Sequence, residues 1–123
     1  MAGKKMEPEE LLSALAHFTG TTQWYRNPMF PAFTYTDGVR FLAEQAGAYW
    51  LIDYVFSNQL LPEIKDEVFQ VWKIFTVDSQ AVLKVEDGNG LILQEFKIPY
   101  TDFPLKEFTL LFTDNVLLLL TEY

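Results

Sequence analysis

The chain has 123 residues, 50% of them apolar and 16% aromatic, enough to bury one hydrophobic core without disulfide or metal staples. It has no cysteine, which excludes disulfides, thiolate nucleophiles and Cys-type zinc sites and suits a reducing cytoplasm. The formal charge of −8, from 17 acidic and 9 basic residues, argues against direct nucleic-acid binding, which needs clustered Lys and Arg. A basic partner surface would match it, although the acidic residues are scattered rather than run together, and ordinary solubilisation is the better explanation of the charge.

The first residues, with Lys4 and Lys5 but no apolar stretch behind them, read as neither signal peptide nor anchor. The longest apolar run, 116–120, is far too short for a bilayer, so no membrane association is expected. Pro8 between carboxylates predicts a helix over 7–17, in which Leu11, Leu15 and Phe18 form one apolar stripe and Gly20 supplies the stop. Residues 19–36 show no sustained period and carry Gly20, Pro28 and Pro31, which predicts an ordered, aromatic-rich loop.

Thr36 or Asp37 caps a second, long helix to about Asn58. Its second half is apolar nearly all round, so burial on more than one side is expected there. From residue 68 the period changes to two. Strands are predicted over 68–77, 80–87, 91–98, 108–113 and 116–121, with turns at Asp78-Ser79, Asp87 to Gly90 and Asp114-Asn115. Leucine occupies both faces of the last strand, which must be central or covered, and a homodimer through that strand is the expectation. The fold class is therefore α+β: two N-terminal helices packed on one face of an antiparallel meander of about five strands, in a single domain spanning 1–123.

Several segments together resemble an uncharacterised bacterial domain-of-unknown-function family: LAHFTGT at 15–21, YTDGV at 35–39, AGAYWLID at 46–53, FQVWK at 69–73, DGNG at 87–90 and YTDFPL at 100–105. The resemblance covers about residue 14 to the end and leaves 1–13 as a variable N-terminal extension. It implies a bacterial, phage or plasmid origin and transfers no activity, so no catalytic residue is carried over.

The chemistry in the sequence is sparse. His17 is the single histidine and stands at a helix end, where a cation is favoured. Ser13, Ser57 and Ser79 lie in no nucleophile elbow. The Asp87 loop has Leu91 and Ile92 where a calcium loop needs a ligand and a glycine. No metal, cofactor or catalytic residue is assigned. Ligand-binding candidates are His17, Thr19, Thr21, Trp24, Tyr25, Arg26, Tyr49, Trp50 and Asp53, which combine hydroxyls, stacking rings, one guanidinium and one carboxylate. Asp53 interrupts an apolar helix and is expected to be buried against Arg26, Tyr25 or a backbone amide.

Three functional classes follow. The first is a non-enzymatic cytoplasmic interaction protein of bacterial or mobile-element type, such as an inhibitor of a host nucleic-acid-handling or defence protein. The second is a binder of a nucleotide-like small ligand, and the third a carboxylate-dependent enzyme.

Overall fold

A computed structural model describes residues 6–20 and 23–123. Thr21, one of the candidate residues, lies outside them. The first helix, α1, runs Pro8–Leu15, with Pro8 at its first position and Glu7 and Glu10 closing a capping box. Leu11 and Leu15 are its buried residues and join the main core.

The stretch expected as a loop is a β-hairpin, β1 Trp24–Asn27 and β2 Phe30–Thr36. Pro28 sits in its turn and Pro31 within β2, and these two breakers conceal an alternation that becomes visible only when Tyr25 is paired with Tyr35. The long helix is also two elements, α2 Asp37–Ala46 and α3 Tyr49–Ser57. Gly47, at φ 63°, ends α2 in the left-handed conformation and the Ala48 N–H returns to the Ala43 carbonyl at 2.8 Å. A glycine at such a cap stops a helix cleanly, and the apolar run restarts in a new direction. A 3-10 turn, Asn58–Leu60, follows.

Five further strands complete a seven-stranded sheet: β3 Phe69–Val77, β4 Gln80–Asp87, β5 Ile92–Ile98, β6 Glu107–Thr113 and β7 Val116–Leu119. Their order is β1-β2-β7-β6-β3-β4-β5, antiparallel except for the β2–β7 pair. The turns are those the sequence marks. Asp78-Ser79 and Asp114-Asn115 both have two consecutive positive φ angles, the geometry of tight hairpins. In the Asp87 loop the carboxylate accepts the Asn89 and Leu91 amides at 2.8 and 2.9 Å.

The meander expectation needs correcting. β3, β4 and β5 are joined by hairpins, but β6 returns to lie beside β3, which is a Greek key. The connecting segment crosses the end of the β3–β4 hairpin and is fixed there. The Thr101 N–H donates to the Ser79 carbonyl, and Thr76 donates its N–H to Lys106 and its hydroxyl to Leu105, all at 2.8 Å. Phe103 and Leu105 are buried by that crossing.

One face of the sheet carries Trp72, Ile74, Leu83, Val85, Leu110, Phe112, Leu117 and Leu119 and packs with the helices in one core. Within it a polar network is closed on itself. Gln59 and Gln70 exchange reciprocal amide bonds at 2.9 Å, and Gln70 also accepts Trp72 Nε1–H at 2.9 Å and donates to the Glu67 carbonyl at 3.0 Å.

β7 explains the leucine-rich last strand. It lies inside the sheet between β2 and β6, so both of its edges are occupied and neither can pair with another chain. Leu117 and Leu119 face the helices, while Leu118 pairs with Leu111 on the opposite face, where Tyr123 packs edge-on to Phe69 at 5.5 Å. The strand is therefore central, one of the two arrangements its sequence left open.

Beyond β7 the chain forms a 3-10 turn, Leu120–Glu122, whose carboxylate closes the start of α2. Glu122 accepts the Thr36 hydroxyl at 2.6 Å, the Gly38 N–H at 3.1 Å and the Leu119 N–H at 3.0 Å. The helix is thus capped by a residue more than eighty positions away. Gly38 makes this possible, because a Cβ there would lie 2.5 Å from Leu119 Cδ1 and 2.8 Å from the Glu122 carboxyl carbon.

Candidate functional site

The pleat of β1 decides which candidates can act together. Side chains alternate across a strand, so Tyr25 faces the helices while Trp24 and Arg26 face the other way. Tyr25 stacks on its cross-strand partner Tyr35, with ring centroids 5.7 Å apart, and the Arg40 guanidinium of α2 sits 4.5 Å from the Tyr25 ring centroid. One helical turn on, Glu44 pairs with Arg40 at 3.6 Å. Tyr49, at the start of α3, comes to the same place because the Gly47 break swings the second helix around. It remains 43% exposed.

The ionisation of this group follows from the arrangement. Hydrogen bonding to Tyr25, and then the charge of Glu44, push the Arg40 pKa above its already high value, so the guanidinium is a permanent cation. Burial raises the pKa of both Tyr35 and Tyr49 above the ordinary tyrosine value, with smaller contributions from neighbouring charges. Both are neutral hydroxyls at physiological pH.

Asp53 is exposed rather than buried. It lies on the solvent side of α3, whose Leu51, Ile52, Val55 and Phe56 form the buried side. Its partner is the buried Asn27, which donates from Nδ2 to Asp53 Oδ1 at 2.7 Å and accepts the Met29 N–H at 2.9 Å. The carboxylate therefore pins the β1–β2 turn to α3. Neither Arg26 nor Tyr25 is the partner: Arg26 donates to the Pro31 carbonyl and Tyr25 to Gln23 Oε1.

The structure thus brings Tyr25, Tyr49 and Asp53 to one surface and separates the rest. Trp24 and Arg26 are on the other face of the sheet, and Trp50 is half-buried against the core. His17 and Thr19 are exposed in the segment after α1. Arg40, Glu44, Tyr35 and Asn27 are members of the surface that sequence reasoning missed. The i,i+4 spacing of Arg40 and Glu44 was the signal available for two of them.

Between β1 and α2 a shallow hollow of about 440 Å³ is lined by Phe18, Gln23, Tyr25, Asp37, Arg40, Phe41 and Glu44. It opens widely to solvent, so the arrangement offers a surface with rings, a fixed cation and two carboxylates rather than an enclosed chamber. No helix among the described residues is long and apolar enough to cross a membrane.

Comparison with curated proteins and with solved structures finds no significant match. A family match begins at residue 9, earlier than the position near 14 at which the sequence resemblance starts, and so takes in nearly all of α1, whose Leu11 is fully buried. That match, to a family of unknown function designated DUF6876, covers residues 9–123, and the chain belongs to this family.

Proposed function

We propose that the protein is a non-enzymatic binding module that engages a protein partner through the surface formed by Tyr25, Arg40, Glu44, Tyr49 and Asp53. The observation carrying this reading is the Tyr25–Arg40–Tyr49 group, held in place by stacking and ion pairing at a solvent-facing position. Tyrosine and arginine dominate the energetics of protein interfaces, because they offer large contact area and directed polar atoms at small entropic cost. A group already fixed before binding loses little on complex formation.

The charge supports a basic partner. Glu44 and Asp53 set two carboxylates against the one guanidinium of Arg40, on a chain of net charge −8. Nucleic-acid-handling proteins carry basic surfaces of that kind. An enzymatic role for Asp53 has less support, because one of its oxygens is occupied by Asn27 and it is open to water, without the enclosure that general acid-base chemistry uses. A second reading, a small planar ligand, rests on the hollow beside Tyr25 and Phe41.

The test begins with affinity capture from the source cells, identification of the captured protein and its purification. Arg40→Ala and Tyr49→Ala should each weaken the reconstituted complex at least about tenfold. Lys97→Ala, on β5 at the far edge of the sheet, should change it less than about twofold. Equal affinity for all three variants would refute the assignment. Release of a small molecule on denaturing the freshly isolated protein would favour the second reading.

A further inference from the structure

We propose that a second copy of this chain pairs with the free edge of β1, strand β1 against strand β1, about a two-fold axis at Tyr25. The inference goes beyond the partner reading above and does not depend on it. It rests on which backbone groups of β1 point outward. The Thr34 N–H donates to Asn115 at 3.0 Å, across the β2–β7 junction, so the backbone groups of Thr34 are turned away from β1. In an antiparallel pair, opposed residues either exchange both hydrogen bonds or neither. Arg26, opposite Thr34, and Trp24, opposite Thr36, therefore direct their N–H and C=O groups away from β2, and β1 is the outermost strand.

A two-fold axis at Tyr25 sets Trp24 of each copy opposite Arg26 of the other. Both residues present the outward backbone groups, so the register gives two hydrogen-bonded pairs flanking a non-bonded Tyr25 pair. On the face away from the helices, the exposed Trp24 and Arg26 side chains then lie opposite each other twice, and an Arg26 guanidinium that exchanges its bond to the Pro31 carbonyl for the partner's ring makes a cation–π contact across the seam. Such a seam is self-complementary, as a two-fold interface must be.

Charge permits it despite the acidity of the chain. Around β1 the charged residues are Arg26 and Arg40 against Asp37, Glu44 and Asp53, so this edge carries only −1 of the chain's −8. Both edges have a register irregularity and a proline directly after the strand, Pro28 after β1 and Pro99 after β5, but β5 adds two exposed charges, Glu95 and Lys97, which blunt that edge further. With the axis perpendicular to the sheet, the helices of both copies lie on the same side, and the hollow between β1 and α2 is walled by the second copy. A four-residue strand pair is small for an interface, so an affinity on the order of micromolar is expected.

The test uses the whole chain. Sedimentation equilibrium at tens of micromolar should show a dimer, weakened at least about tenfold by Trp24→Ala and by Arg26→Glu. Tyr25→Cys introduces the only thiol. A non-bonded antiparallel pair places its Cα atoms about 4.5 Å apart, inside disulfide range, so this variant should form a covalent dimer on mild oxidation. Lys97→Cys, on the other edge, should not. A strict monomer at about 200 micromolar, or cross-linking through residue 97 in place of residue 25, would overturn the proposal.

Discussion

Replacing Glu122 by alanine should destabilise the protein far more than a half-buried residue next to the end of the described chain ordinarily would. The carboxylate accepts the Thr36 hydroxyl, the Gly38 N–H and the Leu119 N–H, at 2.6, 3.1 and 3.0 Å, and so fastens the end of the sheet to the start of α2. A hydrogen bond to a charged group contributes about 1.5–3 kcal/mol, and a carboxylate at a helix start gains a further 0.3–1 kcal/mol, roughly, from the helix dipole. A simple sum overshoots. Thr36 Oγ1 still caps the Val39 N–H, at 3.4 Å, and water reaches a half-buried site in the variant. The expected loss is about 2 kcal/mol for Glu122→Ala and about half that for Glu122→Gln, which keeps one acceptor. In a domain of this size the alanine variant should melt about 7 °C lower. Urea unfolding followed by far-UV circular dichroism measures the difference. An alanine variant within about 0.5 kcal/mol of the parent would show that the clasp contributes nothing.

Four other outcomes follow from the same structure. Gly38→Ala should cost about 1–3 kcal/mol by thermal melting, since its Cβ would meet Leu119 at 2.5 Å; a neutral substitution would mean that the turn at Leu120–Glu122 yields freely. Gln70→Leu should cost about 2–4 kcal/mol in urea unfolding, because it leaves Trp72 Nε1 and the Gln59 amide buried without their partner. Asp53→Asn should change stability by less than about 1 kcal/mol, as expected for an exposed group with one neutral partner; a larger loss would restore the buried-carboxylate reading. Finally, Tyr35 and Tyr49 should ionise above the ordinary tyrosine pKa of about 10 in an absorbance titration, and Tyr35→Phe should remove one of the late steps. Their raised folded-state pKa means that the folded protein holds these protons longer than the unfolded chain does. The associated stability is present below the ordinary tyrosine pKa of about 10 and is lost as pH rises through the raised values.

What the sequence revealed and what it hid have identifiable causes. Period-two alternation and turns rich in Asp, Asn and Gly locate β3 to β7 within a few residues, because local sterics dictate positive φ at those positions. The hairpin of β1 and β2 escaped because Pro28 and Pro31 punctuate it and its stabilising pair, Tyr25 with Tyr35, lies ten residues apart. Gly47 carried the helix break in plain view, but uniform apolarity on both sides masked the change of direction. Strand order is a long-range property, and nothing local distinguishes a meander from a β6 that returns beside β3.

The candidate surface shows the same division. Tyr25, Tyr49 and Asp53 were identifiable by residue type, yet periodicity could not say that Trp24 and Arg26, one residue to either side of Tyr25, project from the opposite face of the sheet. Arg40 and Glu44 look like an ordinary solvated helix pair until Tyr25 is placed beneath the guanidinium. Asp53 appeared buried because its neighbours are apolar. The Gly47 break gives α3 an independent rotation, which turns Asp53 outward and toward Asn27.

Hydrogen exchange of the protein alone and in complex with its purified partner locates the contact surface. Binding should slow exchange over Trp24–Asn27 and at the Arg40 to Tyr49 end of α2 and α3, with little change in β4 and β5. Protection concentrated on β4 and β5, with the Tyr25, Arg40 and Tyr49 surface unchanged, would contradict this assignment.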